Sequence, residues 1–223
     1  MPERWLTFDC FGTLVDWRHG MRTSAELLFP GRGAAVLEAC LGAEAELEQE
    51  RPHRRYRDVL TGQLRRAAAE LSLDLHDDDA DLLAVTLPHW PVFPDVAGAL
   101  ALCRDQGWRL ALLTNCDRDL IALTRRHLPV PFEVAVTAED VAAYKPDPAH
   151  FRHFQDVVAP EQWLHIAQSH FHDIRPCHAL GIPCIWINRL GEAHDPSLAD
   201  LVLPDLVRLP EAVTELERTQ LTD

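Results

Sequence analysis

The chain has 223 residues, 47% hydrophobic and 25% charged, enough to bury one large core or one core with a small added lobe. Its formal net charge of −14 argues against nucleic acid or an anionic membrane surface as a partner, and places any anionic substrate in a repelling field. No apolar run approaches the roughly 20 residues of a spanning helix, and the opening Met-Pro-Glu-Arg-Trp lacks a signal-peptide design, so a cytoplasmic location is expected.

The first element is a short apolar strand, Trp5, Leu6 and Phe8, that stops at Asp9. A carboxylate at the end of a buried strand is a costly place for charge unless the site uses it. In open α/β sheets that edge is also where ligands bind. From residue 15 the pattern turns helical. Residues 34–50 are rich in Ala, Glu and Leu, and Tyr56, Leu60, Leu64, Ala67 and Leu71 recur at three- and four-residue spacing. The acidic residues 77–81 read as a helix start, and the prolines of Leu87-Pro-His-Trp-Pro-Val-Phe-Pro94 break the pattern. Because no strand interrupts this stretch, residues 15–90 are expected to form a helical insert. Its two ends should meet the core, residues 1–14 and 91–223, at neighbouring points.

From Asp95 strands and helices alternate. Asp95 caps a helix that Gly107 ends, strand 108–114 follows, and Asp117 caps a helix running to about residue 127. Strand 134–137, helix 151–158, strand 163–167, helix 174–180 and strand 183–188 come next, then a short strand at 201–203 and an amphipathic C-terminal helix. This order predicts an α/β fold, a doubly wound parallel Rossmann-like sheet with right-handed crossovers.

A parallel sheet gathers its strand ends at one edge. Here they carry Asp9; Thr114 and Asn115; Lys145 in Tyr144-Lys-Pro-Asp-Pro148; and Gln168-Ser-His-Phe-His-Asp173. Asp9-x-Phe11-Gly12-Thr13-Leu14-x-Asp16 resembles motif I of the haloacid dehalogenase (HAD) superfamily, and the other three segments resemble motifs II to IV in order. Within the superfamily the resemblance is closest to the type II L-2-haloacid dehalogenases. Phe11 stands where phosphatase members place a second Asp as general acid. The likeness extends to Phe29-Pro-Gly-Arg-Gly33 and to Trp186-Ile-Asn-Arg-Leu-Gly191.

The resemblance implies a HAD core with an inserted cap, no cofactor, and a short 2-substituted carboxylic acid as substrate. Asp9 would attack the halogen-bearing carbon, and water would then hydrolyse the aspartyl ester to release a 2-hydroxy acid of inverted configuration. Lys145 would keep Asp9 ionised, Asp173 would pair with Lys145 or help activate the water, and Thr114 and Asn115 would donate hydrogen bonds. Phe11 and Cys10 would flank the substrate.

Several positions depart from the family. The cap Arg that grips substrate falls near Leu41, the tyrosine after the motif III lysine is Phe151, and the motif IV Ser and Asn are Gln168 and His170. Candidate replacement cations are Arg18 and the cluster Arg51, Arg54, Arg55 and Arg57, whose alternative role is a solvated helix face. Magnesium would matter only in the alternative reading as a phosphatase on a small phosphate ester, where Gln168 replaces an acid ligand. A catalytically silent binding protein is the other alternative. His165, His170, His172 and His178 read as loop and core histidines rather than a metal site. The six cysteines, without a Cys-x-x-Cys pair, read as reduced packing residues, and a homodimer is an open possibility.

Overall fold

The fold is taken from a computed structural model that describes residues 3–49 and 53–220. Six parallel strands form one sheet in the order β3-β2-β1-β4-β5-β6. They are β1 (Arg4–Phe8), β2 (Arg109–Thr114), β3 (Val134–Thr137), β4 (Gln162–Ala167), β5 (Cys184–Ile187) and β6 (Leu201–Leu203). β2 and β5 are apolar almost throughout because helices cover both faces of the sheet. The strand order reverses at β1, which lies between β2 and β4. That reversal makes the C-terminal ends of β1 and β4 the switch point where a crevice opens. The Asp9 N–H continues the ladder one residue past β1, donating to the Ile166 carbonyl at 3.1 Å, so the backbone of Asp9 is fixed at that crevice.

Between β1 and β2 come α1 (Trp17–Leu28), α2 (Gly33–Gln49), α3 (Tyr56–Glu70) and α4 (Leu82–Thr86), then α5 (Val96–Asp105) leading into β2. α1 packs on α2, α2 on α3, and α4 on both α1 and α3. Among the described residues no sheet strand arises between α1 and α4. The two connections to the sheet run side by side. Phe93 N–H donates to the Leu14 carbonyl at 2.9 Å, and Asp16 N–H donates to the Pro91 carbonyl at 2.8 Å. On this basis we propose to treat residues 15–90 as a cap. One apolar cluster runs through cap and sheet, from Phe8 and Leu14 to Met21, Val59 and Leu64, so the two layers are packed together rather than merely tethered. Trp90 lies against α1 at Gly20, where even a Cβ atom would stand 2.2 Å from the ring.

Two expected helix caps do other work. The Asp117 side chain bonds nothing in its own helix, α6 (Arg118–Thr124). Its buried carboxylate accepts from the Tyr56 and Arg57 N–H groups at 2.8 and 3.0 Å, capping α3 from the sheet side. A fully buried carboxylate needs donors, and the free first-turn N–H groups of α3, which no side chain of α3's own N-cap residue satisfies, are the ones in reach. The Asp95 side chain likewise makes no bond within α5. It accepts from Leu206 N–H at 2.7 Å and pairs with Arg189 at 2.9 Å.

Candidate active site

Asp9 lies at the end of β1 with its side chain almost buried. One carboxylate oxygen, Oδ1, accepts from Lys145 Nζ at 3.0 Å, and the other, Oδ2, accepts from Thr13 Oγ1 at 2.9 Å. The turn that brings Thr13 back requires a positive φ of 106° at Gly12, where an added Cβ would also meet Gln168 Oε1 at 3.0 Å. Thr13 Oγ1 accepts in turn from the Gln168 N–H at 2.8 Å, which ties the β1 and β4 ends together.

Lys145 does not sit at a strand end, as the sequence suggested. β3 is followed by α7 (Ala138–Val141), and Lys145 reaches back from the loop beyond it. Asn115, just after β2, holds that loop: its Oδ1 accepts from Lys145 N–H at 2.7 Å and its Nδ2 donates to the Lys145 carbonyl at 3.1 Å. The side-chain amide of Asn115 thus positions Lys145. The ammonium is 1% exposed and donates to Asp9 Oδ1, to Asp173 Oδ1 at 2.7 Å and to the Leu113 carbonyl at 2.8 Å, which satisfies all three of its protons. It belongs to the only lysine in the sequence.

Asp173 sits in a single π turn, His170–Ile174, which widens the backbone ahead of the helix Arg175–Leu180 and turns the carboxylate inward. Its Oδ1 also accepts from His165 Nε2 at 3.0 Å, and His165 Nδ1 meets Thr7 Oγ1 at 2.8 Å. Asp173 Oδ2 is buried and has no partner among the described residues.

The charges follow from these contacts. Burial pushes Asp9 above the ordinary carboxylate range, with Lys145 opposing and the Asp173 charge adding to the rise. Asp173 is equally desolvated, but Lys145 and the His165 hydrogen bond outweigh that and hold it at about 2. Lys145 is desolvated too, yet its two carboxylate partners keep it firmly protonated. Burial and the nearby Lys145 leave His150, whose Nε2 meets the Thr114 carbonyl at 3.2 Å, neutral with a pKa of about 3.

These groups open into a cavity of about 160 Å³. Asp9, Phe11, Thr114, Asn115, Lys145, Gln168 and Asp173 line it as the sequence suggested. Cys10 is buried behind it, and burial beside the Asp9 charge pushes its thiol far up, so it is inert packing. Phe151 packs edge-on against His165, 5.1 Å between centroids. His170 stacks on His194 at 4.7 Å and bonds the Asp195 carbonyl at 3.0 Å. Neither Phe151 nor His170 lines the cavity.

Of the candidate replacement cations, Arg18, Arg55 and Arg57 are engaged elsewhere. Arg18 pairs with Glu38 at 3.1 Å and lines a neighbouring cavity behind Trp17 and Gln168, together with Arg189. Arg55 and Arg57 both bond Asp119 at 2.8 Å. Arg51 lies outside the described residues. What the sequence did not single out as site residues are Trp17, Glu44, Glu48, Tyr56, Ser169 and His172, all of which line the cavity. Leu41, Glu44 and Glu48 share one stripe of α2 at three- and four-residue spacing, and that was the available signal.

The donor set suits magnesium poorly. The side chain of Phe11 offers no oxygen, and Gln168 turns its amide to Glu192 at 3.0 Å. The Lys145 ammonium already bridges the two aspartates, where a hard cation would have to stand. No group of three or more metal-ligating side chains forms among the described residues.

A Rossmann strand order with a lysine-bridged aspartate pair at its switch point defines a hydrolase of the HAD class. The chain belongs to the haloacid dehalogenase-like hydrolases, whose family model matches residues 4–166. It is 26% identical over 200 residues to haloacetate dehalogenase H-2 of Moraxella sp. (strain B), covering 85% of this chain and 88% of that one. A phosphoserine phosphatase of Thermus thermophilus is 33% identical over 131 residues, 56% of this chain and 53% of its own length. The solved L-2-haloacid dehalogenase RSc1362 has the same fold at a TM-score of 0.85 and 24% identity, with 96% of this chain and 100% of that one covered.

Proposed function

We propose that this protein hydrolyses a carbon–halogen bond of a small organic substrate, with Asp9 as nucleophile. The observation that carries the reading is the Asp9 carboxylate. It faces the cavity, its two oxygens are held by Lys145 and Thr13, and the apolar ring of Phe11 lines the wall where an acid would be needed to protonate a leaving alkoxide. Halide leaves without a proton, so that acid is not required. A carboxylate oxygen of Asp9 forms a bond to the halogen-bearing carbon as the carbon–halogen bond breaks and halide departs with the electron pair. Water then adds to the carbonyl carbon of the aspartyl ester, the alcohol is released and the carboxylate returns.

Asp173 Oδ2, a buried acceptor without a donor among the described residues, is the group we assign to orient that water, and a pKa of about 2 makes it an orienting group rather than a strong base. The name of the haloacetate dehalogenase relative makes short 2-haloacids the first compounds to assay, with 2-hydroxy acids as products. The test is a single turnover in ¹⁸O-water. Label is expected in the Asp9 side chain and not in the alcohol; label in the alcohol alone would mean direct attack by water, and the covalent route would be abandoned.

A further inference from the structure

We propose that Tyr56, the first residue of α3, is a catalytic residue whose hydroxyl donates a hydrogen bond to the halide as it leaves carbon. The inference rests on the reading of Asp9 as the nucleophile. A nucleophile enters opposite the bond that breaks. Asp9 lines the cavity from the end of β1, so the halogen points away from the sheet and toward the cap helices. The halide departs there with the bonding electron pair, into a confined space where an anion without a donor is costly.

Among the described residues, Trp17, Glu44, Glu48 and Tyr56 line the cavity from the cap. Trp17 Nε1 is turned toward the turn at Gly12, where a Cβ would stand 3.2 Å from it. Burial and the Glu44 charge push Glu48 up to about 8, Lys145 opposing, so at neutral pH Glu48 is mostly uncharged and does not repel a halide. Tyr56 is the remaining donor. It is only 9% exposed, and its hydroxyl has no hydrogen-bond partner among the described residues. A buried hydroxyl is seldom left so, which points to a partner that arrives with the substrate. Burial pushes the phenol well above its ordinary value, so the proton stays on the oxygen.

The fold holds this phenol in place. Tyr56 N–H donates to Asp117 at 2.8 Å, and its ring lies 6.4 Å from that of Tyr144, whose own hydroxyl donates to the Arg54 carbonyl at 2.8 Å. On the core side the three protons of Lys145 are engaged, two of them by Asp9 and Asp173, so that charge is already shared. Tyr56 transfers no proton: the halide leaves as the free anion and the phenol keeps its hydrogen.

The test is Tyr56→Phe, which removes the hydroxyl and keeps the ring. Halide release from 2-chloropropionate and 2-bromopropionate is measured as kcat/KM, which covers every step through halide departure. Chloride is the poorer leaving group and the better hydrogen-bond acceptor. The variant should therefore lose about tenfold or more with chloropropionate and clearly less with bromopropionate. It should melt at or above the wild-type temperature, because the hydroxyl it lacks has no partner in the protein. No loss with either acid, a loss with bromopropionate as large as with chloropropionate, or a lowered melting temperature overturns the assignment. Each of these leaves the carbon–halogen reading standing, since the wild type still releases halide. A wild type that releases none from either acid sinks that reading, and the role of Tyr56 with it.

Discussion

Lys145 satisfies two buried carboxylates at once, so its removal has two separate consequences. Lys145→Ala is expected to abolish turnover and also to destabilise the fold by about 3–5 kcal/mol, since it leaves Asp9 and Asp173 as uncompensated buried charges. Denaturant melts of the variant at neutral pH measure the second effect, and a midpoint equal to wild type would contradict it. Asp9 carries a prediction about pH. Its pKa is raised in the folded protein and only the ionised form attacks, so activity must fall as pH drops through that raised value. The acid limb of kcat/KM should therefore lie above the ordinary carboxylate pKa of about 3.9. Asp173 has the opposite sign: its pKa is lowered to about 2, so the stability it contributes is complete above the ordinary carboxylate range and is lost as pH falls toward 2. Asp9 was legible in the sequence because charge at the rim of an apolar strand breaks the local pattern, whereas Lys145 and Asp173, which lie off the strand ends, were legible through their resemblance to motifs III and IV. Thr13 and Glu48 were not, since a threonine in a glycine turn and a glutamate in an Ala- and Glu-rich helix look like ordinary solvated residues. Only the packing of α2 over the crevice turns Glu48 inward.

At the scale of elements, the strands were readable and the capping partners were not. β2 and β5 announce themselves as unbroken apolar runs buried on both sides. The partner of Asp117 lies 61 residues away at the start of α3, a distance over which no local pattern speaks. That contact gives a stability prediction. Asp117→Ala removes the acceptor for two N–H groups and separates α3 from the sheet side, at a cost of roughly 1–3 kcal/mol. The denaturation midpoint checks it. Because the same contact holds the cap-side wall that carries Tyr56, KM should rise as well. A variant with wild-type stability would show that the α3 N-terminus finds water or another acceptor as readily.

For the molecule as a whole, the formal net charge of −14 draws cations toward the protein and repels anions. Added salt should therefore raise KM for a cationic substrate and lower it for an anionic one, as screening removes attraction in the first case and repulsion in the second. Turnover should also survive chelation: with Gln168 at the position of an acid ligand, Phe11 at that of the general acid and an ammonium between the aspartates, EDTA is expected to leave the rate unchanged. Activity lost in EDTA and restored by magnesium would favour phosphate ester hydrolysis.

One consequence of the bridging ammonium concerns covalent labelling. Because Lys145 is the only lysine, an acylating reagent aimed at primary amines has one side-chain target in this chain, and that target is buried and protonated. An amine without a free lone pair does not acylate, so a brief exposure of the native protein should mark the α-amino group alone. The appearance of a second label by mass spectrometry would then time the opening of the crevice, residue by residue at a resolution of one.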